Sequence, residues 1–162
     1  MELPYFTLVH IVISLVGIAA GFGALAGLLA AKLFPRWTAL FLVTTVATSA
    51  TGFFFPFRGF TPAFAVGIIS LLVLAVAIYA LYTRRLAGAW RKAYVINAVV
   101  ALYLNVFVLF AQLFQKMPVL KAIAPTQSEP AFAVTQAGVL VVFIVLGITA
   151  TIRFRHEPAH PG

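Results

Sequence analysis

The sequence has 162 residues, of which 64% are hydrophobic and only 9% are charged. Soluble domains run near half apolar with about a quarter of their residues charged, and a chain this short leaves roughly a third of its surface exposed, so the composition excludes a soluble globular fold. The absence of cysteine excludes disulfide frameworks, thiolate metal sites and cysteine nucleophiles. The composition therefore predicts a membrane protein.

Five uninterrupted apolar stretches follow one another along the chain, and each is near or above the roughly 20 residues that a helix needs to cross a bilayer. They cover residues 6–31, 37–57, 62–83, 93–115 and 132–152. All 11 basic and 3 acidic residues fall between or beyond them, and the runs are too long and continuous for barrel strands. The sequence predicts an all-α polytopic bundle of five transmembrane helices, with a single domain over residues 1–155 and a flexible tail over 156–162.

The basic residues are distributed unequally between the two sides of the predicted bundle, eight on one side and three on the other. Cytoplasmic loops carry the excess of Lys and Arg, so the carboxyl terminus is expected in the cytoplasm and, with an odd number of spans, the amino terminus outside. The larger group includes a cluster that is expected to contact anionic lipid: Arg84, Arg85, Arg91 and Lys92. Nucleic acid is not an expected partner, because no basic segment lies in a domain large enough to dock a duplex.

Neutral polar residues inside the spans are costly in lipid unless they face protein or water. In the fourth span, steps of four and three from Tyr94 pass through a seam of small and amide residues: Ala98, Ala101, Asn105, Val108, Gln112 and Gln115. In the first span, the same stepping from His10 passes through Ser14, Gly17, Gly21 and Ala24. Because the two spans run antiparallel, we expect the seams to meet, with His10 near Gln112 and Gly17 near Asn105.

The depths of these polar residues indicate a possible site. At a rise of about 1.5 Å per residue, His10, Gln112 and Gln136 lie roughly 5 to 6 Å below the outer surface, with Thr51 and Gly52 a little deeper and Thr48 and Asn105 near the midplane. The pattern predicts a polar crevice open to the outside and roofed by residues 53–57 and 125–130. Its expected lining is His10, Ser14, Thr48, Thr51, Asn105, Gln112 and Gln136.

Two functions are compatible with this pattern. A water-filled crevice favours a small-molecule or ion binding and permeation module. A closed hydrogen-bond network that only fixes helix packing favours a non-catalytic scaffold or accessory subunit. In that second case Gly23 and Gly27, which point away from the His10 seam, are expected to face a partner subunit or a second copy of the chain.

Several chemistries lack the residues that they need. The chain has no aspartate and no glutamate inside a span, so the carboxylate relays of proton-coupled pumps are missing. His10 is the only histidine within a span, which leaves haem and zinc without enough ligands in one chain. No catalytic motif accompanies Ser14 or Ser49, so an enzyme is not expected, and neither a cofactor nor a metal is expected.

Three strings carry a resemblance to known sequences: Thr51-Gly-Phe-Phe-Phe-Pro-Phe57, Ala101-Leu-Tyr-Leu-Asn-Val-Phe107 and Ala124-Pro-Thr-Gln-Ser-Glu-Pro130. They resemble those of a group of small bacterial inner-membrane proteins with no assigned activity. The likeness runs from the first span to the fifth and implies a multi-pass protein of the bacterial cytoplasmic membrane. It implies no activity, cofactor or site residue.

Overall fold

The computed structural model describes residues 4–55 and 59–155. Over these residues the chain forms six α-helices and no strand, which confirms the predicted all-helical class. The helices are α1 (Pro4–Leu29), α2 (Pro35–Gly52), α3 (Pro62–Ile78), α4 (Trp90–Lys116), α5 (Pro118–Ile123) and α6 (Pro130–Arg153). A π-helical turn, Tyr79–Thr83, continues α3. The predicted tail, residues 156–162, lies outside the described residues.

Most of the helices begin at a proline, as α1, α2, α3, α5 and α6 do. Proline suits the first helical position, because the N–H that it lacks has no partner within the helix and its φ angle already matches the helix. The start of α3 is also capped by Thr61, whose Oγ1 accepts a hydrogen bond from the backbone N–H of Phe64 at 3.2 Å. The local sequence thus determines where these helices begin.

Among the residues that the structure describes, four helices are long and apolar enough to cross a membrane: α1, α3 with its π-helical turn, α4 and α6. This agrees with the predicted membrane protein for four of the five expected spans. The exception, α2, has 18 residues and carries Arg36 and a run of Thr and Ser that reduce its apolar character. It ends at Gly52, before the expected end at residue 57, because a helix usually ends ahead of a proline and Pro56 follows.

The bundle is organised around α4, which contacts α1, α3 and α6, while α1 packs most extensively on α2. Large buried side chains at the centre include Phe41, Tyr94 and Leu102. The close approach of α1 depends on Gly21, because a Cβ at that position would lie 2.6 Å from Leu102 Cδ1 and 2.9 Å from Phe41 Cδ1. A small residue there lets α1 lie close to both neighbouring helices.

At one end of the bundle, which we call the Trp90 end, arginines tie the helices together. Arg91 donates from its guanidinium to the backbone carbonyls of Thr151 and Phe154 at the end of α6. Arg153 donates to the carbonyl of Leu29 at the end of α1, at 3.4 Å. The opposite end, where α1 begins and α2 ends, we call the His10 end.

Candidate functional site

At the His10 end, His10 and Thr51 join α1 to α2. His10 Nδ1 lies 2.8 Å from Thr51 Oγ1. The Thr51 hydroxyl also lies 2.7 Å from the carbonyl oxygen of Ala47, to which it donates. Since a hydroxyl has only one hydrogen, a Thr51 that donates to Ala47 accepts from His10, which assigns the proton of a neutral imidazole to Nδ1. The other ring nitrogen, Nε2, is therefore an acceptor.

The space around this acceptor is partly open. The ring of Phe55 stands edge-on to the His10 ring, with centroids 5.0 Å apart. Gly52 lies beside the ring, since a Cβ there would come within 3.8 Å of His10 Cε1 and would meet no other described atom within 4 Å. Within residues 4–55 and 59–155, Nε2 has no hydrogen-bond partner. The half-buried imidazole thus presents an unused acceptor beside open space.

Below His10, a stripe of hydroxyls on α2 follows the same interface. The pairing of His10 with Thr51 and the contact of Gly17 with Thr44 define an antiparallel register that places Thr48 opposite Ser14. The Ser14 hydroxyl donates to its own helix, with the Ile11 and His10 carbonyl oxygens at 2.9 and 3.0 Å, and Thr48 donates to the Thr44 carbonyl at 2.8 Å. Because these donations use the single hydroxyl hydrogens, the two oxygens remain available only as acceptors.

Asn105 joins α4 to this group. Its Nδ2 donates to Thr45 Oγ1 at 3.3 Å, and Thr45 is fully buried. Thr45 also lies against Gly17, where a Cβ would be 3.4 Å from its Oγ1. Asn105 and Gly17 therefore share one neighbour on α2. The expected seam of α1 and α4 therefore includes a residue of α2, because Thr45 lies between Gly17 and Asn105.

The two glutamines that were expected beside His10 have other surroundings. Gln112 is exposed, because the last turns of α4 bury Phe114 against Phe132 of α6, with centroids 5.3 Å apart. Burying a large aromatic ring is more favourable than burying an amide, which explains why the expected inward direction of Gln112 is wrong. Gln136 is buried and its Nε2 donates to the Phe107 carbonyl of α4 at 3.1 Å.

A polar atom of Gln136 is left without a partner. Its Oε1 is buried and accepts no hydrogen bond from any residue that the structure describes. A buried amide oxygen without a donor is costly, and such atoms in native proteins commonly pair with water or a ligand. Gln136 thus adds a second unused acceptor at the beginning of α6.

The segment over residues 125–130 is ordered by its own polar contacts. Thr126 Oγ1 donates to Glu129 Oε1 at 2.8 Å, and the backbone N–H of Ser128 donates to Oε2 at 3.1 Å. The bond from the Thr126 hydroxyl is the main reason that the pKa of Glu129 lies below its usual range. Gln127 Nε2 donates to the Ala111 carbonyl at 2.7 Å and attaches the segment to α4.

The glycines proposed to face a partner are covered by this chain. A Cβ at Gly23 would lie 2.8 Å from the Trp37 ring, and a Cβ at Gly27 would lie 2.9 Å from the Lys32 carbonyl oxygen and from Phe34. The surface expected for a partner subunit is therefore occupied by the turn into α2 and the first residues of that helix.

The expected lining omits two residues of this site. Thr45 is one of them, although it lies three residues before Thr48 in the same run and so falls on the same helix face. Gly52 is the other: its depth beside Thr51 is expected from the sequence, but only the position of the His10 ring shows what its missing side chain leaves open.

Comparisons with protein-family models, curated proteins and solved structures found no match. In the described part of the chain, no group of three or more His, Asp or Glu side chains could hold a metal ion. We therefore infer the function from the geometry of the polar groups.

Proposed function

We propose that this chain is an integral membrane protein that binds a small molecule or ion, and lets it enter the bundle, through a polar crevice at the His10 end. The observation that carries the proposal is the free acceptor Nε2 of His10 beside the open space at Gly52. An imidazole lone pair suits a cation or a solute with an N–H or O–H donor. Below it, the oxygens of Ser14 and Thr48 continue the acceptor surface towards Asn105.

The proposal places five crossings in the bacterial cytoplasmic membrane, with the His10 end outside. At about 1.5 Å per residue the 18 residues of α2 reach about 27 Å, close to the thickness of a hydrocarbon core. Its packing along α1 supports a fifth crossing. The excess of basic residues, eight against three, supports a cytoplasmic Trp90 end and an external amino terminus.

A pair of single-cysteine variants tests whether water enters the crevice. The chain contains no cysteine, so Ser14→Cys and Leu15→Cys each introduce a unique thiol at nearly the same depth. Ser14 is half-buried at the interface with α2, whereas Leu15 is 48% exposed on the outer face of α1. Thiolates form and react where water reaches them.

We expect a membrane-impermeant cationic methanethiosulfonate, added outside intact cells, to modify Ser14→Cys much faster than Leu15→Cys. Equal and slow modification of the two variants would mean a dry interface and would overturn the proposal. Modification only from the cytoplasmic side would overturn the orientation.

A second candidate function is a non-catalytic scaffold or accessory subunit. It is favoured by the hydrogen bond between Asn105 and Thr45 and by the hydroxyls that donate to their own helix, because these satisfy much of the polar group internally. It is weakened by the rings that cover Gly23 and Gly27. On this account both cysteine variants stay unreactive and substitutions in the polar group change only stability.

A further inference from the structure

Near the Trp90 end, α4 and α6 leave between them an open groove of about 420 Å³. Its walls are almost entirely apolar and include Ile96, Val100 and Tyr103 of α4 with Ile144, Ile148 and Ile152 of α6. The volume falls within the range of roughly 300 to 1,000 Å³ that is typical of ligand sites. Among the four apolar helices, α6 is the least buried, so the groove opens towards the surroundings of the bundle.

Three basic residues lie near one end of this groove. Arg91 donates to the backbone carbonyl of Thr151, a residue that lines the groove, and so is held at its edge. Lys92 lies four residues before Ile96 and therefore on the same face of α4. Arg155 is the second residue after the end of α6 and is exposed.

No carboxylate in the described residues competes for these charges. Glu129 is the only acidic residue among them, and it precedes the first residue of α6, at the opposite end of that helix. Arg84 is not part of the group, because its guanidinium lies over the Trp90 ring at 5.4 Å from the centroid. The groove is thus apolar along its length and positively charged at one end.

We propose that this groove binds an anionic phospholipid of the cytoplasmic leaflet. One acyl chain lies along the groove, and the phosphate contacts Lys92, Arg155 and the guanidinium N–H groups of Arg91 that do not donate to α6. An apolar groove that leads to a basic mouth matches the division of a phospholipid into chain and headgroup, and basic pockets between membrane helices suit anionic headgroups. This inference uses the membrane orientation proposed above and is independent of the crevice at the His10 end.

Native mass spectrometry of the full chain, released from detergent micelles, tests the proposal with two probes. Dioleoyl phosphatidylglycerol and dioleoyl phosphatidylcholine carry the same chains and differ in headgroup charge. We expect the chain to retain one molecule of phosphatidylglycerol and to bind it with higher affinity than phosphatidylcholine. The double variant Lys92→Gln with Arg155→Gln should weaken its binding by about fivefold for each charge removed.

A matched control is the double variant Lys116→Gln with Lys121→Gln, which removes the same charge at the opposite end of the bundle and should leave affinity close to that of the parent. Filling the groove by Ile144→Trp should weaken binding of both lipids. Thermal unfolding of each variant in the same detergent identifies any that fails to fold, and the Lys92 and Arg155 positions can then be tested singly.

Three results would overturn the inference. Equal retention of the two lipids by all variants would indicate ordinary annular lipid. An equal loss in the Lys116 and Lys121 control would place the headgroup elsewhere. A dimer that Ile144→Trp dissociates, with no retained lipid, would assign the groove to a second copy of the chain. None of these results affects the cysteine experiment at Ser14, so failure of one proposal is distinguishable from failure of the other.

Discussion

Asn105 of α4 donates its side-chain amide to the hydroxyl of Thr45 on α2, with 3.3 Å between Nδ2 and Oγ1. Asn97, about two turns earlier on the same helix, donates instead to the Ala93 carbonyl of α4 itself, at 2.7 Å. One residue type therefore joins two helices at one position and is satisfied within its own helix at the other. Comparing these two asparagines therefore distinguishes the effect of a hydrogen bond between helices from that of a bond within one helix.

Replacing Asn105 with Leu should lower the free energy of unfolding by about 0.6 kcal/mol, and by no more than about 1.7 kcal/mol, the range found for hydrogen bonds between membrane helices. Asn97→Leu is the matched control and should lie close to the parent. Equilibrium unfolding in mixed micelles measures both. Equal stability of the two variants would remove the interhelical role of Asn105.

The packing of α1 predicts a different result for two glycine substitutions. Gly21→Ala should cost about 1 to 3 kcal/mol, because its Cβ would meet Leu102 and Phe41 inside the core. Gly138→Ala meets no described atom within 4 Å and gains the better helix propensity of alanine, so it should be neutral or slightly stabilising. A Gly21→Ala variant as stable as Gly138→Ala would contradict the close approach of the helices.

Glu129 makes the segment over residues 125–130 sensitive to acid. Its folded-state pKa is lowered by the donors of Thr126 and Ser128, so its contribution to stability is fully present above the unfolded value of 4.5 and is lost as the pH falls through the folded value. An NMR titration that follows the side-chain carboxyl carbon of Glu129 against pH should have its midpoint below 4.5.

Thr126→Val removes the main donor and should raise the Glu129 midpoint towards 4.5. Thr149→Val is the control, because that hydroxyl donates to the Val145 carbonyl of α6. An unchanged midpoint in Thr126→Val would show that the hydroxyl does not stabilise the carboxylate.

The proposed orientation predicts the location of two reporters. Fusions at Thr126 and at Gly162 should report opposite sides of the membrane, with Thr126 outside, because α6 crosses between them. Alkaline phosphatase activity identifies the reporter that lies outside, and the fluorescence of a fluorescent protein identifies the one in the cytoplasm. A report from the same side at both positions would contradict the crossing of α6.

The positions of the helices could be predicted from hydropathy to within a few residues. The expected starts at residues 6, 37 and 132 each lie two residues after the observed starts at Pro4, Pro35 and Pro130. An apolar run begins after its proline, whereas the helix begins at it. The turn Tyr79–Thr83 could not be predicted, because a π-helical turn depends on how α3 meets the next segment and leaves no change in hydropathy.

The polar faces could be predicted, but not their partners. The stepping from His10 correctly selects Gly17 and Gly21 as buried, yet the partner of His10 is Thr51 of α2. Periodicity identifies which face of a helix is turned inward and carries no information on which neighbouring helix covers it. The partners of the α2 threonines could not be predicted either, because hydroxyls in membrane helices usually bond to their own backbone.

The proposed crevice depends most directly on the state of the His10 ring. Solid-state NMR of isotopically labelled histidine, in protein reconstituted in lipid bilayers, measures this state. The double variant His156→Gln with His160→Gln leaves His10 as the one labelled histidine. We predict a proton on Nδ1, none on Nε2, and transfer of magnetisation from water to the ring that is faster than to Val9, its lipid-facing neighbour. A proton on Nε2, with transfer from water as slow as to Val9, would contradict the account.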